Sequence, residues 1–416
     1  MTEESDRAKM VMDRITAMAT CSDDPAGISR VFGSAAFKKA GKLIKDWMEE
    51  AGLQTRTDNI GNVRGRYLSD NPLAKTFVIG SHFDSVINAG KFDGPLGIVL
   101  SIDIGAKLIK QKQALPFHLE CVAFSDEEGV RFHTAYLGSK VLCGTLEESI
   151  LNKPDAEGIT VKQVITDIGG NAEDLFNDRI HPDQWLGYFE LHIEQGPVLY
   201  EKDVSIAVVT GIAAQKRIQL SFEGEPGHAG TVPMNMRSDA LCAAAQCVLA
   251  VETLANKYPY KLVATIGKLE IPNSASNVIP GKVICTLDIR SIDATLLSDT
   301  TGAIQKFCDD ICKERKICME WKVVQETDPI DCDPLLIELL EESIQENQFP
   351  LIKLTSGAGH DAVAISALAP VSMLFIQCYK GISHNPKENV EIKDIAAAIK
   401  VSDTFFAKLI AKYSNK

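Results

Sequence analysis

Seven side chains in this sequence have the types and settings to do hydrolytic chemistry together: His82, Asp84, Asp93, Glu127, Glu128, His192 and His384. They sit in Gly-Ser-His82-Phe-Asp84-Ser, Lys-Phe-Asp93-Gly, Ser-Asp-Glu127-Glu128-Gly, Leu-His192-Ile-Glu-Gln-Gly and Ile-Ser-His384-Asn-Pro. Two divalent ions a few ångströms apart need imidazole nitrogens, carboxylates and one shared group; such a pair activates water and polarises a scissile carbonyl. His82 is a candidate ligand, and Asp84 is placed to accept the ring's other N–H. Asp93, in a glycine-rich turn before a helical stretch, suits the shared position. Of Glu127 and Glu128, one can ligate while the other moves a proton from water to the leaving nitrogen. A solitary histidine in such a chain is ordinarily a surface or hydrogen-bonded core residue, and His118, His133 and His181 are read that way. Five segments, each expected at the end of a buried strand, are harder to assign to coincidence.

The surrounding pattern supplies those strands. Thr76–Gly80 and Phe117–Phe124 are continuous apolar runs suited to strands covered on both faces, with a helical stretch Leu96–Ile109 between them. Strands are also expected at Gly187–Ile193, Ile352–Thr355 and Val371–Cys378, and helices up to about Gly52, at Pro334–Gln348 and at the C-terminus. Between Gly211 and Thr327 the order changes to strand, helix, strand, strand, helix, strand, the split β-α-β-β-α-β pattern of ferredoxin-like domains. The expected architecture is therefore α/β, a large mixed-sheet metal-binding domain (1–210 and 328–416) interrupted by a smaller two-layer domain (211–327). In such sheets chemistry gathers at the carboxyl ends of the strands.

Composition narrows the function. The 416 residues carry a net charge of −13 with no basic block, which argues against nucleic acid or an anionic membrane as partner. The polar, acidic opening lacks the features of a secretory signal, and no apolar run is long enough to span a bilayer. Eleven scattered cysteines without a Cys-x-x-Cys pair suit free thiols in a reducing compartment, so a cytoplasmic protein is expected. The segment Ser-Gly357-Ala-Gly359-His360-Asp361-Ala362 matches a dinucleotide fingerprint, but the following strand ends without a ribose-binding acid. A better use is to face an anionic part of the substrate with backbone N–H groups and His360.

The segments GSHFDS, KFDGPLGI, AFSDEEGVRF, LHIEQGPVL, GHAGTVPM, NSASNVIPG, SGAGHDA and GISHNP together resemble the amidohydrolase/carbamoylase branch of the M20 metallopeptidase-like family, over essentially the whole chain. The resemblance implies two divalent metal ions per subunit, manganese expected and zinc, cobalt or nickel as alternatives. It implies His82, Asp93 (bridging), Glu128, His192 and His384 as ligands and Glu127 as general base. It also implies substrate contacts from Gln215, Arg217, His228, Asn277, Arg290, Gly359 and His360. Arg290 would clamp a carboxylate, and His228 would reach the partner's site as an oxyanion donor. The inserted domain would act as lid and as the interface of a homodimer. Where the family pattern has Gly before the glutamine, this chain has Ala214. The implied reaction is hydrolysis of a ureido C–N bond in a small carboxylate substrate, allantoate first and N-carbamoyl-L-amino acids as the alternative. Dipeptide or N-acyl cleavage, or ureide sensing without turnover, are the remaining rivals.

Overall fold

The computed structural model describes residues 3–259 and 261–414; Met1, Thr2, Tyr260, Asn415 and Lys416, including the first two residues of the acidic opening, lie outside the described residues. The helical opening resolves into α1 (Glu3–Ala19) and α2 (Ala35–Glu50), the second capped by the Ser34 side chain on the Phe37 N–H. Strands β1 (Gln54–Thr57), β2 (Val63–Tyr67) and β3 (Thr76–His82) follow, then α3 (Pro95–Lys110) and β4 (His118–Phe124). Every residue of β3 and β4 is buried, as their largely apolar sequences predict; Glu120, which interrupts the apolar run of β4, is buried in an ion pair with Arg64. Short helices α4 (Leu137–Cys143) and α5 (Val161–Asp167) lead to β5 (Trp185–Ile193), α6 (Val198–Lys202) and β6 (Ile206–Ile212). The sequence reading assigns no strand to β6, although the Ile-Ala-Val-Val run is buried there.

The next segment holds β7 (Ala214–Glu223), β8 (Gly227–His228), α7 (Ala240–Ala255), β9 (Leu262–Glu270), β10 (Val278–Ile279), β11 (Lys282–Ser291), α8 (Ala294–Arg315), β12 (Cys318–Thr327) and β13 (Ile330–Asp331). The chain closes with α9 (Pro334–Glu346), β14 (Lys353–Ser356), α10 (Asp361–Ile365), β15 (Val371–Ile376) and α11 (Ile392–Ser414).

The chain divides into two compact units, residues 1–210 with 332–416, and residues 211–331. The first is built on a large mixed sheet in the order β1-β2-β4-β3-β5-β15-β6, with β14 also on β6. Its centre, β4-β3-β5-β15, is parallel, and β2 and β6 close it antiparallel on either side. The carboxyl ends of the parallel strands therefore fall on one edge, the place from which loops can pool side chains. In the second unit, β12-β7-β11-β9 form a four-stranded antiparallel sheet. Alternation divides its faces: Ile218, Leu220, Leu287 and Ile289 share a core with Ala243, Ala244, Leu297 and Ile304 of α7 and α8. The residues between them in register, Gln215, Arg217, Asp288 and Arg290, occupy the other face.

No described helix is long and apolar enough to cross a membrane. All eleven cysteines are free, and only Cys242 and Cys318 are exposed.

Candidate metal centre

His82 is the last residue of β3 and His192 the penultimate residue of β5, so neighbouring parallel strands deliver both rings to the same edge. Both are almost fully buried, and the rings stack with centroids 5.7 Å apart. Their tautomers are set from behind. His192 Nδ1 lies 3.0 Å from its neighbour's carbonyl at Ile193, and His82 Nδ1 lies 3.3 Å from the Asp84 carbonyl. A ring that donates from Nδ1 presents the Nε2 lone pair on its other side, the arrangement a metal requires.

Both Nε2 atoms face Asp93, at 3.4 Å (His82) and 3.2 Å (His192) from Oδ1. Asp93 reaches this point through Gly94, whose φ of +82 is open to glycine; a Cβ there would lie 2.6 Å from the His82 ring. The other oxygen, Oδ2, lies 3.3 Å from His384 Nε2, and that nitrogen is also 3.3 Å from Glu128 Oε1. Two ligand groups result, His82–Asp93–His192 and Asp93–Glu128–His384, with Asp93 common to both. Asp93 Oδ1 and His192 Nε2 are buried without a hydrogen-bond partner among the described residues. An acceptor and a lone-pair nitrogen converging in a dry place are costly alone and suit a cation. The donor set of nitrogen and carboxylate oxygen fits zinc, manganese, cobalt or nickel.

His384 differs from the expectation that each group directly follows a strand. β15 ends at Ile376, and the chain passes a single 3-10 turn, Tyr379–Gly381, before His384. His384 and Asp126, next to the acidic doublet, both hold positive φ, 54 and 52. Such backbone costs on the order of 1–3 kcal/mol and persists where surroundings impose it.

Asp84 does more than sit behind a ring. Its carboxylate is 3.6 Å from His82 Nδ1, but Oδ1 accepts the Glu127 N–H at 3.0 Å and Oδ2 accepts the Glu128 N–H at 3.1 Å. One carboxylate thus braces the loop after β4 against the loop after β3. Glu127 itself is buried beside His82 and Glu128. Burial first, then the Glu128 charge, pushes its carboxyl well above the usual carboxylate range, against the pull of His82.

Several residues at this centre carry no signal that the sequence reading uses. Gln195, three residues past His192, donates from Nε2 to Asp93 Oδ2 at 2.7 Å, and the Ser383 hydroxyl donates to the same oxygen. Glu388 Oε1 accepts the Phe92 and Asp93 N–H groups at 2.6 and 3.0 Å. Glu190, two residues before His192, accepts the Ser81 hydroxyl at 3.0 Å and groups with His192 and His360. His360 is buried, 4.6 Å from the His192 ring, with its Nε2 2.7 Å from Ser356 Oγ. Its side chain is therefore already engaged, and burial holds it well below the usual imidazole range, that is, neutral. Gly359 lies against the Tyr136 hydroxyl, which a Cβ would meet at 1.8 Å. His118 accepts the Ser69 N–H and the ring of His133 is exposed, as is that of His181; none joins the centre.

The remaining expected contacts belong to the second unit. His228 is exposed in β8, paired with β10, and its Nδ1 accepts the Gly230 N–H at 3.0 Å, so the neutral ring carries its proton on Nε2. Asn277 is exposed, and its backbone carbonyl accepts the Ala229 N–H. Gln215, Arg217 and Arg290 all donate to Asp288.

The charge balance at the centre has a pH consequence. Burial opposes the charged forms of His82 and His192, yet the neighbouring carboxylates raise both; the bonds from Asp93 and Glu128 lift His384 to about 10. A cation must displace these protons, so its apparent affinity weakens as pH falls and strengthens as pH rises toward 10. Titrating the metal-free protein with Mn2+ near neutral pH, in buffers of different ionisation enthalpy, is expected to show about two or three protons released. Heats independent of buffer would contradict this.

Comparison with known proteins follows the same lines. The family model described as peptidase family M20/M25/M40 matches residues 76–408. The chain is 38% identical to allantoate deiminase 2 of Glycine max over 434 residues, covering 95% of this chain and 88% of that protein. It is 33% identical to the N-carbamoyl-L-amino acid amidohydrolase of Geobacillus stearothermophilus, covering 95% and 97%. The crystal structure of an amidase of the hydantoinase/carbamoylase family from Burkholderia multivorans superposes with a TM-score of 0.89 at 30% identity, covering 97% and 98%.

Proposed function

The chain belongs to peptidase family M20/M25/M40, and from that we propose that it hydrolyses a ureido C–N bond in a small carboxylate substrate, allantoate in the first place. The observation that carries the reading is the pair of ligand groups sharing Asp93 beside the buried Glu127, in a chain 38% identical to an allantoate deiminase. His82, Asp93 and His192 would hold one divalent cation, and Asp93, Glu128 and His384 a second. Manganese is proposed, with zinc, cobalt or nickel as alternatives. Bound there, the ions supply Lewis acidity and make a water acidic enough to act as nucleophile near neutral pH.

Glu127 is assigned the proton work. Its carboxylate takes the proton of the attacking water and hands it to the leaving nitrogen. Asp84 fixes the peptide on which that carboxylate sits. His228 is assigned as oxyanion donor through Nε2–H, the tautomer its contact with Gly230 favours. Arg290, with Gln215, Arg217 and Asn277, is assigned to the substrate carboxylate, for which a planar guanidinium is suited; the Gly359–His360 turn would face the substrate with backbone. The expelled carbamate decomposes to ammonia and carbon dioxide, leaving ureidoglycine or its hydrolysis product ureidoglycolate.

Residues 211–331, with strand order β12-β7-β11-β9 and two helices, are proposed as a ferredoxin-like lid and as the interface of a homodimer in the cytoplasm. N-carbamoyl-L-amino acids are the second reading, favoured by 33% identity to an N-carbamoyl-L-amino acid amidohydrolase. The deciding experiment is ammonia release by the Mn2+-reconstituted protein from allantoate, ureidoglycolate and N-carbamoyl-L-amino acids side by side. Allantoate is expected to turn over fastest. Cleavage of none of them, with peptides or acetylated amino acids cleaved instead, would discard the ureido assignment.

A further inference from the structure

We infer that Asp288 is a positioning residue that holds Arg290, Arg217 and Gln215 together as one carboxylate-reading group. The inference rests on the assignment of Arg290 to the substrate carboxylate. On the β7/β11 ladder Asp288 lies opposite Arg217, and Arg290 lies opposite Gln215. Left to that register, the two arginines would face different partners. Instead all three donors turn to one carboxylate. Asp288 Oδ1 accepts Arg290 Nε at 2.8 Å. Its Oδ2 accepts Arg290 Nη2 at 3.0 Å, Arg217 Nε at 3.0 Å and Gln215 Nε2 at 2.6 Å.

The arrangement has a definite electrostatic result. Two guanidiniums brought together repel; one carboxylate between them removes that repulsion and leaves the cluster with one net positive charge. A singly charged carboxylate is the ligand that completes it. The fork from Arg290 is two-pronged, the geometry in which an arginine–carboxylate pair is strongest. Arg290 and Asp288 are only 24% and 29% exposed, so water competes less for this pair than for a surface contact. Burial works against the Asp288 charge, but its three partners hold the carboxyl below its usual range, and it stays ionised at neutral pH.

A purely structural role for this quartet is less well supported. Strands β7 and β11 are already paired through ten residues, and their other face is sealed by Ile218, Leu287 and Ile289. What the cluster adds is orientation of flexible side chains, which matters for recognition more than for folding.

The test compares Asp288→Asn with wild type in the metal-loaded, full-length protein. The substrate is whichever of allantoate and N-carbamoyl-L-alanine the wild type cleaves, used beside its carboxamide analogue. KM for the carboxylate substrate is expected to rise about ten-fold with kcat within about two-fold, while metal content, melting temperature and kinetics on the carboxamide hold. Asp288→Glu, which keeps the charge, should recover part of the loss. An unchanged KM, or a loss shared equally by the carboxamide, overturns the proposal. Arg290→Ala separates the two claims. If that variant still prefers carboxylate over carboxamide, the Arg290 assignment fails and this inference falls with it. If Arg290→Ala loses the preference and Asp288→Asn keeps it, only the positioning role is wrong.

Discussion

Replacing Glu127 by Gln is expected to leave the bound cations in place and to cut turnover by about 10²- to 10⁴-fold, the range a positioned acid–base group contributes. Glutamine preserves the shape of the side chain and cannot accept the water's proton. The backbone on which residue 127 sits is pinned by Asp84 and does not depend on the side chain. Metal content by mass spectrometry, read beside kcat, separates the roles. Glu127 also lies within ligand distance of His82 and Glu128, so a variant that loses a cation along with activity would show Glu127 to be a ligand and refute its assignment as base.

Asp93→Asn should have the larger effect on composition. Asp93 is the one residue common to both ligand groups, and each of its oxygens faces different rings. Burial opposes its charge, but His192, His384 and His82 hold the carboxyl well below the usual range, so it remains an anion. A neutral amide would remove that charge from both positions at once. Cation content is then expected to fall from about two equivalents to near none, with activity lost. His384→Ala, by contrast, should lose only the cation proposed for the Asp93–Glu128–His384 group. If Asp93→Asn still retains one tightly held equivalent, the shared role of Asp93 is wrong.

The sequence makes part of this arrangement legible and hides the rest for a physical reason. His82, Glu127, Glu128 and His192 can be read because each stands at or just past a largely apolar, buried strand. Where such strands are parallel, their carboxyl ends must share an edge. Asp93 can be read because Gly94 and Pro95 mark a sharp entry into a helix. Gln195, Ser383 and Glu388 cannot be read this way. Their bonds to Asp93 span about a hundred to about three hundred residues of chain, with no local period to announce them. Asp288 is hidden in another manner. An acid between apolar residues on a strand looks like ordinary alternation, and only the cross-strand register shows that three donors meet on it. The strand Ile206–Ile212 closes the sheet antiparallel and carries no polar side chain for the site, so no chemical marker sets its short apolar run apart.

The contact between Asp84 and the two consecutive peptides after β4 has a bearing on how this molecule could change over time. Because one side chain couples both loops, a shift in either is inherited by the other, and the spacing between the His82 ring and the Glu127 carboxyl survives. Novelty in what is cleaved is therefore most easily acquired elsewhere in the chain, while a substitution at position 84 would disturb the proposed ligand and the proposed proton carrier in a single step.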